Sequence, residues 1–452
     1  PTINANPSNE VSETTNIVSS TAANASTSSV ATTANQNQSS LNHVNRSNKD
    51  IAKEVLLDRT LFALYVIDNS CSMEAIDGKI FKEDSSITTS SSVKKLYKID
   101  GLSRWTEAVY KTIIIAKYNI QRRLKASYYI LNPSSTGSTM TSIDNWKENI
   151  DYVTIDPTDT DNNNKNVENK LKILETVILS NNNIRGSTPL GKITRFLITA
   201  LSRIEIENIQ SIPICYNIIT DGEPNNSIEF EQNLKSLASS YNVFLTVNLC
   251  TDNESIVNYY NELDTKLGSS GSSSSGSGNN NSGEMCGIDV LDDFEAEQDE
   301  IIAIGNHFFT YTNDIHICRM AGCNSIAADL LDEEQLPPHY AVKVCKELLK
   351  LNDSNVNSNS NSNSIANITS PLWMENRIEY INIIKNKNFK VYDYKSKSVV
   401  NIINIDILDQ IIRKYQMRMY MNEKYKLLFS NSNSVIIIII VIVIAGSGYL
   451  LF

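Results

Sequence analysis

Leu61-Phe62-Ala63-Leu64-Tyr65-Val66-Ile67-Asp68-Asn69-Ser70-Cys71-Ser72 decides the fold. An uninterrupted apolar run of this length, closed by polar turn residues, predicts a buried strand. The strand ends in Asp-x-Ser-x-Ser, and alternation puts Asp68, Ser70 and Ser72 on one side of the turn that follows. One carboxylate and two hydroxyls converging there suit a hard cation, which takes oxygen ligands.

Two later segments supply further oxygens. Gly186-Ser187-Thr188-Pro189-Leu190-Gly191 reads as a tight turn opening a helix, with Pro189 at the favourable first helical position. Ile218-Ile219-Thr220-Asp221-Gly222-Glu223-Pro224 reads as another apolar strand ending in Asp-Gly. The 33 residues from Thr188 to Asp221 match one helix plus one strand of an α/β unit. Helical stripes are expected over 103–124 (capped by Ser103), 167–181, 189–206, 227–240 and 253–267. Strands are expected at 128–131, 152–155, 212–219 and 243–249. This alternation predicts an α/β fold with a doubly wound, mostly parallel sheet flanked by helices. Such sheets bind ligands outside the carboxyl ends of their strands, where the three segments would meet.

Asp68-x-Ser70-x-Ser72, then Thr188, then Asp221-Gly222 resembles the metal-ion-dependent adhesion site of von Willebrand factor type A domains. The likeness covers roughly residues 60–265. It implies a Rossmann-like fold and a Mg²⁺ site, with Mn²⁺ or Ca²⁺ as substitutes. Ser70, Ser72 and Thr188 would approach the ion, and Asp68 and Asp221 would act largely through bound water. An exchangeable position would take an Asp or Glu carboxylate from a protein partner, and Mg²⁺ ordinarily keeps waters and open positions of this kind. Cys71 departs from the family, which often has Gly there, and a small tucked-in thiol is expected. The long Ser72–Thr188 interval, with Ser/Thr-rich and Asn-rich inserts, is a second departure. Taken alone, the same residues would also serve as ordinary caps and turns.

Composition bounds the alternatives. The 452 residues carry a net charge of −11, which argues against non-specific nucleic-acid binding, and no basic stripe with interleaved aromatics is present. Seven scattered cysteines favour free thiols. His316-x-Cys318-x4-Cys323 is half a zinc pattern without its second pair. No phosphate loop, Gly-x-Ser-x-Gly elbow or His-Glu-x-x-His occurs, and His43, His307, His316 and His339 all lie outside the expected domain. The expectation is therefore a binding module and not an enzyme. A metal-dependent hydrolase on the same scaffold and a metal-free scaffold stay open as alternatives.

The rest of the chain divides by composition. Residues 1–50 form a Ser/Thr/Asn-rich tail expected to be disordered, ahead of the 51–267 domain. A Gly/Ser/Asn linker is expected at 268–285, an α-rich annex at 286–351 and an Asn/Ser linker at 352–370. A small α+β appendix is expected at 371–430. Ile288–Ile304 reads as an acidic helix with a solvated carboxylate face. Val435–Phe452 is uncharged and nearly all apolar; 18 residues span ~27 Å as a helix, near the lower limit for a bilayer. With Lys424 and Lys426 before it, the run reads as a transmembrane tail that leaves the bulk of the chain on the cytoplasmic side. Because the chain begins at Pro1, a secretion signal ahead of it is kept as an alternative.

Overall fold

A computed structural model describes residues 62–84, 93–134, 146–158, 163–180, 183–202, 213–268, 288–322, 326–349, 351 and 372–430. Its centre is a six-stranded sheet. β1 (Phe62–Ile67) pairs in parallel with β4 (Lys125–Ile130) on one side and β6 (Ile214–Thr220) on the other. β6 continues in parallel to β7 (Val243–Leu249), and β7 to β8 (Ile288–Leu291). β5 (Tyr152–Ile155) closes the opposite edge antiparallel to β4, giving the order β5-β4-β1-β6-β7-β8. The sheet is thus mostly parallel, as expected, with a reversed edge strand.

The central strands alternate between two cores. Ala63, Tyr65 and Ile67 of β1 enter one, and Leu64 and Val66 enter the other, as a pleat of period two requires. The second core is roofed by α3 (Leu190–Ser202), α4 (Ser227–Ser240) and α5 (Glu254–Gly268), through Phe196, Phe230, Leu234, Tyr260 and Leu263. On the first face lie α1 (Arg104–Gln121) and α2 (Asn163–Ile173), which runs on into a π-helical turn, Leu174–Ile178. Ser103 caps α1 as expected, its hydroxyl accepting from Thr106 N–H at 3.1 Å. Within the Ser72–Thr188 interval, β2 (Gly78–Glu83) and β3 (Leu96–Leu102) form a separate antiparallel hairpin ahead of α1.

The region after 288 departs from the sequence reading. Ile288–Leu291, read as the start of an acidic helix, is instead the sixth strand; only Phe294–Ile304 (α6) is helical, capped by Asp293. The run Ile-Asp-Val-Leu is short and β-branched at alternate positions, and pairing with β7 overrides its helical periodicity. α7 (Asn313–Met320), α8 (Pro338–Leu348) and α9 (Arg377–Lys387) follow. Next come the hairpin β9 (Lys390–Asp393) and β10 (Ser398–Asn401), and then α10 (Ile405–Ser430). Their buried residues Phe294, Ile315, Val342, Tyr380, Val391, Leu408 and Ile412 belong to the same core as Trp105, Ala108 and Ile115 of α1. The C-terminal third is therefore part of the layer covering one face of the sheet.

Polar residues inside the strands fix that layer. Tyr65 donates to the Ala321 carbonyl at 2.8 Å, and Asn217 donates to the Met320 carbonyl at 2.6 Å. Asn248 reaches the same Met320 carbonyl at 3.2 Å. These carbonyls lie at the end of α7, past its intrahelical donors, and Cys215 Sγ also reaches the Ala321 carbonyl at 3.7 Å. The approach is close enough that a Cβ on Gly322, where φ is +86, would collide with Cys215 Sγ.

Among the described residues no helix is long and apolar enough to cross a membrane. The expected tail 1–50, the tracts 269–285 and 352–370, and the apolar run Val435–Phe452 lie outside the described residues.

Candidate metal centre

β1 and β6 are neighbours, so their carboxyl ends deliver Asp68 and Asp221 side by side. Asp68 N–H donates to the Ile219 carbonyl at 2.8 Å, which continues the strand pairing to the start of the turn. Asp68 is wholly buried; one carboxylate oxygen accepts from Ser70 N–H at 2.9 Å and the other from the Thr220 hydroxyl at 2.7 Å. The Ser70 and Ser72 hydroxyls lie 2.9 Å apart, and Ser72 donates to Asp221 Oδ1 at 2.8 Å. Four of the five expected residues thus form a continuous array of oxygens.

Thr188 is brought to the same place by backbone contacts. Cys71 N–H donates to the Gly186 carbonyl at 3.3 Å and Arg185 N–H to the Asn69 carbonyl at 2.6 Å, binding its loop to the β1 turn. From the other side Thr188 N–H donates to Asn225 Oδ1 at 3.0 Å, and Asn225 N–H returns to the Thr188 carbonyl at 2.9 Å. The Thr188 hydroxyl lies 3.6 Å from where a Cβ on Gly222 would stand, directly beside the Asp221 turn. The residue is 7% exposed; its hydroxyl makes no hydrogen bond among the described residues and keeps contact with solvent.

Ser72 and Cys71 are exposed, so the array opens to solvent on their side. The expected tucked-in thiol is corrected: Cys71 points outward because Ser70 and Met73 take the buried positions of the short 3₁₀ turn Cys71–Glu74.

Three contributors escaped the sequence reading. Asn69, wholly buried inside the motif, donates to the Asn132 and Asn183 carbonyls at 3.0 and 2.6 Å and accepts from Asn132 N–H at 2.7 Å. It fixes the β1 turn against two neighbouring loops, as Asn225 does for Thr188. The third is Arg104, at the start of α1. It makes a two-pronged pair with Asp77, both contacts at 2.6 Å, and places Nη1 3.0 Å from Asp221 Oδ2. Asn69 and Asn225 had a weak signal in their positions next to motif residues; Arg104, 117 residues from Asp221, had none.

Electrostatics follow from burial. Burial pushes the Asp68 carboxyl up to about 6, against the hydrogen bonds from Thr220 and Ser70, and the nearby Asp221 charge adds to the rise. Arg104 holds Asp77 below the usual carboxylate range. All five side chains offer oxygen, the donor type a hard divalent cation takes. The costly buried charge of Asp68 is what a bound cation would relieve, and the Thr188 hydroxyl, free of protein partners among the described residues and reachable by solvent, is open to it. The residues present therefore fit Mg²⁺.

Two other carboxylate groups occur among the described residues: Asp252, Asp292 and Asp293, and Glu297, Glu300 and Asp332. Each already holds a protein cation. Lys79 contacts Asp252 at 2.5 Å and Asp293 at 2.9 Å. Arg319, wholly buried, donates to Asp289 at 2.7 Å, Glu297 at 2.6 Å and Asp332 at 2.7 Å. The expected solvated face of 288–304 is thus corrected: Asp289, Asp293 and Glu297 are buried and paired. His316 is buried too, against Tyr311 and Phe294, and burial lowers its basicity well below normal. It lies in the core with Cys318, whereas Cys323 is outside the described residues.

Neither a known protein-family model nor a curated protein matches the chain.

Proposed function

We propose that the chain is a Mg²⁺-dependent protein-binding module of the von Willebrand factor type A kind, taking an acidic side chain of a partner at the Asp68 site. The observation that carries this reading is the convergence of Asp68, Ser70, Ser72, Thr188 and Asp221 on one solvent-open array at the carboxyl ends of β1 and β6. Ser70, Ser72 and Thr188 would hold the ion, with Asp68 and Asp221 behind them. The ion would supply an electrophilic position for a carboxylate. The chain's own part is positional: Asn69 and Asn225 hold three loops in register, and buried Asp68 fixes the Ser70 backbone. Mn²⁺ and Ca²⁺ would substitute with different geometry.

The test is retention of the full chain on immobilised poly-glutamate. Retention in Mg²⁺, release by chelator, and loss in Asp68→Ala and Thr188→Ala are expected. Retention indifferent to chelator and to both substitutions would remove this function.

One observation favours the metal-free alternative. Arg104 already places a positive charge 3.0 Å from Asp221. In that reading the guanidinium is the resident cation, and Mg²⁺ gains no measurable hold on the site.

A further inference from the structure

α10 carries a surface that neither the sheet nor the candidate metal centre uses. Its first half is anchored: Leu408 and Ile412 are wholly buried, and Ile411 and Tyr415 pack partly against the same core. From Met417 onward every described side chain up to Lys424 is exposed, including Met417 at 68% and Tyr420 at 63%. Large apolar side chains are seldom left in water in such a run without a use.

The pattern on the exposed side is ordered. Lys414, Met417, Arg418 and Met421 follow helical i, i+3, i+4, i+7 spacing, and Tyr420 and Lys424 fall on the same side. The face opposite carries Leu408, Ile412, Tyr415 and Glu423, the single acid between 413 and 430. Lys414, Arg418 and Lys424 make no ion pair among the described residues, whereas Arg413 is held by Asp409 at 2.8 Å. The stripe therefore interleaves unpaired cations with two thioethers and a tyrosine, a short basic stripe that corrects the sequence reading of none. This is the composition of a helix lying in a headgroup layer, with apolar groups dipping in and cations at the phosphates. In sequence it leads, through Asn431-Ser432-Asn433-Ser434, to the uncharged apolar run Val435–Phe452.

We infer that the exposed stripe of α10 docks on an anionic lipid surface, Lys414, Arg418 and Lys424 meeting the headgroups while Met417, Tyr420 and Met421 enter the boundary layer. The charges are complementary: in a chain of net charge −11, a locally basic, half-apolar helix face suits a negative surface and not the protein's own exterior. The stripe lies apart from the Asp68 site, so the inference does not depend on metal binding.

The test is flotation of the full chain, in chelator, with vesicles of phosphatidylcholine alone or mixed with phosphatidylserine. Stronger binding to the phosphatidylserine vesicles is expected, weakening with salt. The triple variant Lys414→Gln, Arg418→Gln, Lys424→Gln should lower that binding by about fivefold per cation removed and leave the phosphatidylcholine baseline unchanged. Because all three side chains are exposed and unpaired, an unchanged thermal melting curve will show that the triple variant folds. Equal binding to the two vesicle types, or a triple variant that binds phosphatidylserine like the parent, overturns the inference. A vesicle-independent dimer that the triple variant loses also overturns it, and assigns the stripe to a second copy of the chain.

Discussion

The Asp68–Asp221 array and the Arg319 cluster are both built of carboxylates set around the same sheet, and they meet their charge in opposite ways. Around Arg319 three carboxylates share one buried guanidinium within 2.7 Å, and the ends of β8, α6 and α7 close over it. At Asp68 the carboxylates are answered mainly by hydroxyls, the Thr188 hydroxyl has no partner among the described residues, and the array opens to solvent past Ser72. A carboxylate group that carries its own cation is a structural joint. The Asp68 array, pre-arranged, oxygen-rich and open, is the one we propose receives a cation.

The largest expected effect separates the two roles. Arg319→Met strands Asp289, Glu297 and Asp332 in the core without their counter-charge, and should cost about 3–5 kcal/mol in denaturant unfolding. Thr188→Ala removes a hydroxyl that no protein group uses, and should leave the unfolding midpoint nearly unchanged while weakening Mg²⁺ by roughly 10–100-fold. If the two substitutions destabilise the fold equally, the contrast fails.

Proton competition sharpens the same contrast. In the metal-free fold Asp68 holds its proton up to about 6, above the ordinary 3.8. The folded state then binds more protons than the unfolded state between these values, so metal-free stability falls as pH rises through that window, by about 3 kcal/mol at most. Mg²⁺ needs the ionised carboxylate, so its affinity should drop by about fivefold between pH 6 and pH 5, and more steeply below. A Mg²⁺ affinity flat across that range would show that Asp68 does not support the ion.

The smallest effect concerns Arg104, the one feature the two regions share in kind. Arg104→Gln frees Asp221 Oδ2 and should tighten Mg²⁺ by roughly fivefold, the scale of one charge-assisted hydrogen bond partly exposed to solvent. A loss of affinity would mean that Arg104 positions Asp221 instead of competing for it.

The legibility of each region in the sequence follows from the range of its interactions. The strand β1 and its Asp-x-Ser-x-Ser turn were readable because burial on both faces leaves an unbroken apolar run, and a side-chain period of two places the oxygens together. Thr188 and Asp221 were readable because each closes its own local strand or opens its own helix. Arg319 was not: its partners come from β8, α6 and the 330–334 turn, and no local pattern links them. The same holds for the strand Ile288–Leu291, whose state depends on β7 more than forty residues earlier in the chain, at about Leu245 to Asn248. Polar residues inside strands, such as Asn217 and Asn248, look like flaws in a core pattern until α7 supplies the carbonyls they serve.

Everything proposed for the Asp68 array turns on whether it receives Mg²⁺. Calorimetric titration of the full chain with MgCl₂ near pH 7, beside Thr188→Ala, tests it most directly. One saturable Mg²⁺ site is expected in the parent, lost or weakened at least tenfold in the variant at unchanged stability. No saturable heat in the parent, or identical titrations of the two proteins, would contradict it and leave Arg104 as the only cation the site takes.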